Sequence, residues 1–225
     1  MLPVAKIALM VPSSNTIMET DFHRELRDAY TVHTARMFLV DATRKGELEM
    51  IEQHAPTAAR DLGTINPDLL IFGCTSAGAL FGITYDTEVC ERLGSIARAP
   101  ALGVLTAIAE QLDRTGARRL AVLTPYVEEL TNAVARAATT DKRSVVAAAG
   151  MGISDNVKLC DPTPDDILNF ARERLAHQSF DALLVSCTNF RALEAMPLLE
   201  AAFEVPVVTS NSAILAAIRR RLPSG

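Results

Sequence analysis

A chain of 225 residues with 49% apolar side chains can bury a core without help from disulfides or a structural metal. Its net charge of −5 argues against nucleic acid or an anionic membrane surface as partner, yet permits an anionic small molecule, since local donors govern a pocket. No stretch approaches the roughly 18 apolar residues of a membrane span, and the start of the chain lacks the charge-then-apolar order of a secretory signal, so the expected compartment is the cytoplasm.

Taken in chain order, "KIALMV" (Lys6–Val11) reads as a buried strand and "METDFHRELRDAY" as an amphipathic helix. "VHTARMFL" (Val32–Leu39) is the next strand, followed by a long helix around Glu47–Leu62. "DLLIFGC" (Asp68–Cys74) is a third strand and "PALGVL" (Pro100–Leu105) a short fourth. The second half repeats this order with "RRLAVLTP", "SVVAAAG", "DALLVSC" and "VPVVTS", and with helices between. "PTPDDILNFARERLAHQ" is the clearest of these helices, with prolines at its start and carboxylates in its first turn. Apolar strands alternating with helices predict α/β architecture with parallel sheet covered on both faces.

The halves share more than order. "DLLIFGCTSAGAL" from Asp68 and "DALLVSCTNFRAL" from Asp181 align without gaps, and Pro12 and Pro125 stand at the same separation. Two matching landmarks predict a duplicated unit, hence two similar lobes, each a four-stranded parallel sheet flanked by helices, related by a pseudo-two-fold axis. The expected boundaries are 1–105 for the first lobe and 106–211 for the second, with a C-terminal helix over 212–225 packing back on the first. A strand order of 2-1-3-4 in each lobe would bring the ends of its first and third strands to a topological switch point, the usual ligand site of open α/β sheets. Cys74 and Cys187 then face each other across the inter-lobe cleft.

Cys74, Cys90, Cys160 and Cys187 are too scattered for a disulfide framework, and none has C-x2-C spacing, so no metal site is expected. A cysteine closing an apolar strand is usually an inert core residue. Recurrence at equivalent positions argues otherwise for Cys74 and Cys187. Cys90 has no such partner, since its counterpart is Phe203, and Cys160 likewise keeps the bland reading. Each repeated cysteine precedes Thr, then Ser or Asn, then a helical stretch, so helix N-terminal amides are expected to lower its pKa and make Cys74 a fast-alkylating thiol. No histidine adjoins either motif, which removes the usual Cys-His dyad. Asn15 in "SSNT" could be no more than a helix cap.

With these residues assembled, the chain resembles the aspartate/glutamate racemase superfamily and, within it, the maleate cis–trans isomerase branch. The resemblance spans nearly the whole chain and rests on "VPSSNTIME", "GCTSAG", "LTPYVEELT", "GISDN", "SCTNFRALE" and "VPVVTSNSA". Racemases of the superfamily usually carry an acidic "DSG"-type first loop where this chain has "PSSN". Arylmalonate decarboxylases keep one catalytic cysteine, at the second site, where this chain keeps both. The resemblance implies that Cys74 adds to an alkene carbon of maleate, or of a close small unsaturated dicarboxylate. The double bond becomes single, rotates, and re-forms as fumarate without any cofactor. Cys187 would act as the facing acid/base thiol, and Tyr126, like Asn156, would hold the substrate or polarise the first thiol, Cys74. Asn15 and Asn156 would hold substrate, Thr75, Ser76, Thr188 and Asn189 would supply donors to its carboxylates, and Ser210 and Asn211 would line the second lobe's edge. A homo-oligomer, dimer or tetramer, is implied too. The alternatives are a two-thiol amino-acid or hydantoin-type racemase and a two-lobed binding protein without catalysis.

Overall fold

The computed structural model describes residues 5–27 and 29–222. In the first half, β1 (Ala5–Pro12), α1 (Met18–Glu25), β2 (Tyr30–Met37), α2 (Arg44–Glu49), α3 (Ala55–Gly63), β3 (Leu69–Phe72), α4 (Thr75–Phe81), α5 (Ile83–Ala97) and β4 (Ala101–Gly103) alternate along the chain. α6 (Val104–Thr115) leads into β5 (Arg119–Tyr126), α7 (Glu128–Ala138), β6 (Ser144–Ile153), α8 (Pro164–Leu175), β7 (Ala182–Val185), α9 (Ala192–Phe203), β8 (Val207–Thr209) and α10 (Ser210–Arg221). Two parallel sheets result, ordered β2-β1-β3-β4 and β6-β5-β7-β8.

The repeat is visible in the register. Ile7 pairs with Leu69 and Leu120 with Ala182, and these are corresponding positions of the two halves. All four residues of β3 and all four of β7 are buried, as strands covered by helices on both faces must be. One apolar core runs from the first sheet (Ile7, Leu9, Ile71) into the second (Leu120, Val122, Leu184), so the halves are joined by packing. A second core covers the other face of the first sheet. α6 and α10 are counterparts in the repeat and pack on each other, and α10 also touches α1.

Several expected elements end elsewhere. The helix expected through Tyr30 stops at Glu25, and Tyr30 instead opens β2 by pairing with Ala5. Asp28, inside the expected helix, lies outside the described residues. The single helix expected around Glu47–Leu62 is α2, a π-helical turn over Met50–His54, and α3. Pro56 in the first turn of α3 has no N–H to donate, and the wider turn before it absorbs that loss. The C-terminal helix starts at Ser210, earlier than expected, because Thr209 and Ser212 form a reciprocal cap; residues 223–225 of the expected span lie outside the described residues.

Gly73 sets the exit of β3 towards the site. Its N–H donates to Met10 O at 2.8 Å, and a Cβ there would stand 2.7 Å from that same carbonyl oxygen. A backbone oxygen fixed in a sheet cannot yield as a side chain can. Gly73→Ala should therefore lower stability by about 1–3 kcal/mol, read as a reduced urea midpoint at unchanged slope.

Candidate active site

Every residue that the sequence assigned to catalysis or substrate binding lines one small cavity between the halves. Cys74, Thr75, Ser76 and Asn15 come from the first half, and Tyr126, Asn156, Cys187, Thr188 and Asn189 from the second, with Pro12, Ser14, Leu39, Ala42 and Leu159 completing the wall. Its free volume is about 30 Å³, room for about one water molecule. Two roomier grooves, beside Asp113 and Arg143 and beside Cys90 and Thr106, lie away from the paired thiols. Among the described residues no group of histidine, cysteine and carboxylate side chains could hold a metal ion.

Hydrogen bonds lock the halves together around this cavity. Asn15 Nδ2 donates to Thr188 Oγ1 at 3.0 Å, and Thr16 N–H donates to Asn189 Oδ1 at 2.8 Å. Asn189 Nδ2 donates to Asn156 O at 2.9 Å, while Thr188 Oγ1 donates to Gly73 O at 3.2 Å. Asn15 is a cap as well as a wall residue, since its Oδ1 accepts from the N–H groups of Ile17 and Met18 at 3.1 and 3.0 Å. Asn156 Nδ2 donates to Val40 O at 3.2 Å and so ties the β2–α2 loop to the loop after β6. Ser210 and Asn211 are not in the wall. Ser210 bonds Thr75 Oγ1 at 3.1 Å, and Asn211 reaches Asp21 Oδ2 at 2.8 Å and Thr188 O at 3.2 Å, so both brace residues that are.

The thiols are not the lowered, fast-reacting groups that their setting in the sequence suggested. Cys74 does immediately precede α4, but α9 begins only at Ala192, after a turn, so no helix starts directly behind Cys187. Burial pushes the Cys187 thiol up to about 12, against the Tyr126 hydroxyl and the Asn189 N–H (3.3 Å), which hydrogen-bond the sulfur and pull it down. Burial also drives Cys74 well above the ordinary range, and the carboxylate of Glu47 pushes the same way. Tyr126 is raised too, first by burial and then by Cys187. Among the described residues no Arg, Lys or His lines the cavity to offset these effects. A thiol with that burial and no cation is slow to alkylate.

Glu47 is the residue the sequence reading missed. It is 0% exposed, while its neighbour Leu48 is 38% exposed, so this turn of α2 presents its acid to the interior and its leucine to solvent. Cys74 Sγ donates to Glu47 Oε2 at 3.4 Å, and Ser76 Oγ donates to Glu47 Oε1. Burial raises the carboxyl from 4.5 to about 7, against these two donors. The signal was present. Glu47 stands in register with Met50, Ile51, Ala55, Ala58 and Leu62, the buried stripe of the following turns, at a position where an apolar residue is the norm.

The chain matches the arylmalonate decarboxylase family model over residues 7–224. It belongs to that family. Within reach of this family member is a maleate isomerase of Geobacillus stearothermophilus, 24% identical over 96% of this chain and 91% of the relative. The crystal structure of the maleate isomerase Iso from Pseudomonas putida S16 with maleate superposes with a TM-score of 0.88 at 25% identity, covering 96% of this chain and 91% of that one. A Nocardia farcinica maleate cis-trans isomerase mutant with a covalently bound succinylcysteine intermediate has the same fold, with a TM-score of 0.90 at 22% identity over 98% of this chain and 93% of that one.

A carboxyl that keeps its proton to about pH 7 in the folded protein, against 4.5 otherwise, ties stability to pH. Between those values the unfolded chain has shed the proton and the folded one has not, so this group's contribution falls as pH rises through that window and is level above it. The stability of Glu47→Gln minus that of the native chain should therefore grow by about 3 kcal/mol across the window and then plateau, measured by urea unfolding at successive pH values.

Proposed function

We propose that this family member isomerises maleate, or a close small unsaturated dicarboxylate, to the trans isomer through a covalent cysteine adduct. The observation that carries the reading is the pair Cys74 and Cys187, one from each half, in the wall of one small cavity with Tyr126 against Cys187. A relative aligned over nearly its whole length is a maleate isomerase, a neighbour of the same fold was crystallised with maleate, and another carries a succinylcysteine.

The chemistry follows from the groups present. Cys74 Sγ forms a bond to one alkene carbon as its proton passes to an acceptor beside it, which returns the proton when the sulfur leaves. The alkene pair moves onto the neighbouring carbon and into its carboxylate as an enediolate. Cys187 gives that carbon a proton, and its own sulfur is then held by the Tyr126 hydroxyl and the Asn189 N–H. The former double bond is now single and turns. Cys187 takes a proton back, the pair re-forms the alkene, and Cys74 departs. No redox change occurs, so the scheme uses no cofactor.

Neutral donors suit the two substrate carboxylates, because a closed, water-free wall strengthens fixed dipoles at the moment charge moves. We assign that role to Asn15, Asn156, Thr75, Thr188 and Asn189. A four-carbon dicarboxylate does not fit about 30 Å³, so the wall opens for entry, on our reading towards the roomier groove that shares Ala42, Tyr126 and Asn156, where Asn156 bonds Val40 O. We propose separately that the lobes divide at 105/106, near the start of α6.

Proton NMR tests the proposal. The purified chain should convert the alkene signal of maleate to that of fumarate, and Cys74→Ser should lower the rate by more than about 1000-fold. Unchanged turnover in that variant would remove Cys74 as nucleophile. Exchange of an amino acid's Cα–H in deuterated water with no alkene turnover would favour a racemase instead.

A further inference from the structure

Cys74 must lose a proton to become a nucleophile, and its surroundings disfavour the free thiolate. Burial and the nearby carboxylate both oppose it, and among the described residues no cationic side chain lines the cavity. The proton therefore has to move to a neighbour as the sulfur attacks. The side-chain atoms hydrogen-bonded to Sγ are Glu47 Oε2 and Ser76 Oγ, each at 3.4 Å. Ser76 is no base, and its own hydroxyl donates to Glu47 Oε1.

Resting on the maleate reading, we propose that Glu47 is the proton acceptor for Cys74: the thiol proton passes to Glu47 Oε2 as sulfur adds to the alkene, and returns when sulfur leaves. The books balance within the pair, since Glu47 is a carboxylate before addition, a carboxylic acid while the adduct exists, and a carboxylate again after elimination. Ser76 positions it by holding the other oxygen. The donors point the right way, because both the thiol and the serine hydroxyl donate into the carboxylate, so the pair is already arranged for transfer.

The setting leaves Glu47 free for this work. On its own helix, Arg44 turns away, donating to Leu80 O at 2.8 Å and lying over the Phe81 ring at 4.4 Å. In the π-helical turn that follows, Glu52 pairs with Arg92 and His54 meets Phe38 edge to face. From α4 and its N-terminus come Cys74 and Ser76, and from the end of β5 comes Tyr126, which feels the Glu47 charge. Among the described residues no Lys, Arg or His forms an ion pair with Glu47. An acid poised near 7 is the best compromise between being ionised and holding a proton.

The test combines kinetics with infrared spectroscopy on the full chain. For the native chain, kcat/KM with maleate should rise with pH through about 7 and level off. Glu47→Gln should lower it by about 100- to 10,000-fold and abolish the rise near 7, and Glu47→Asp should recover part of the rate and keep a rise. Ser76→Ala, which removes a donor that stabilises the carboxylate, should move the rise to higher pH. A Glu47→Gln enzyme that keeps the native pH profile overturns the proposal, even if its rate is lower. The infrared arm needs no substrate. The S–H stretch of Cys74, identified by its loss in Cys74→Ser, should shift in Glu47→Gln and should move with pH near 7 in the native chain. A band indifferent to both overturns the pairing. Absence of maleate turnover by the native chain, with the band behaving as expected, would discard the substrate and keep the proton acceptor.

Discussion

Everything about this site depends on the interlock between the two halves. Asn15 reaches Thr188 across the boundary, Asn189 receives the Thr16 amide, and Thr188 returns to Gly73 O beside Cys74. These bonds are made by the strand-end loops themselves, so the contacts that hold the halves together also form the cavity wall. Duplication supplies the geometry. Cys74 and Cys187 stand two residues past the ends of β3 and β7, and the two-lobed arrangement brings both into one cavity.

That closure has an electrostatic cost. Taking two thiols and a carboxyl out of water without a compensating cation raises all three, which keeps both sulfurs protonated at rest. A resting thiolate would attract oxidants and stray electrophiles. A thiol that ionises only as it attacks is protected, provided a base waits beside it. In the proposed scheme the Cys74–Glu47 contact supplies one on the first side, and the Tyr126–Cys187 contact stabilises the sulfur that gives up its proton on the other. The two thiols of the repeat sit in unlike surroundings, acidic for Cys74 and phenolic for Cys187, and the scheme uses that asymmetry to separate nucleophile from proton donor.

The fold was legible because its signals are local and repeated. Two gapless motifs and two equally spaced prolines exposed the duplication, and buried runs of Leu, Ile and Val marked the strands. Of the fourteen residues lining the cavity, the nine assigned from the sequence were within reach: eight lie at strand ends at a switch point, where open α/β sheets bind ligands, and Asn156 came from the family resemblance. What escaped was decided by packing. α2 turns Glu47 inward because it lies against α4, and a charged stretch such as "RKGELEM" reads as solvated until that neighbour is in place. The thiols were misjudged for a related reason: helix N-terminal amides are visible in sequence order, whereas burial, the larger effect here, is not. The π-helical turn before Pro56 reflects a local conflict that helical periodicity passes over.

The most direct measurement is to stall the reaction on the enzyme. Cys187→Ser, lacking the facing proton donor, is incubated with maleate, quenched in acid, digested and mapped by mass spectrometry. The account predicts a succinyl group on the peptide containing Cys74. Modification confined to Cys90 or Cys160, or no adduct at any cysteine while maleate is still consumed, would contradict it.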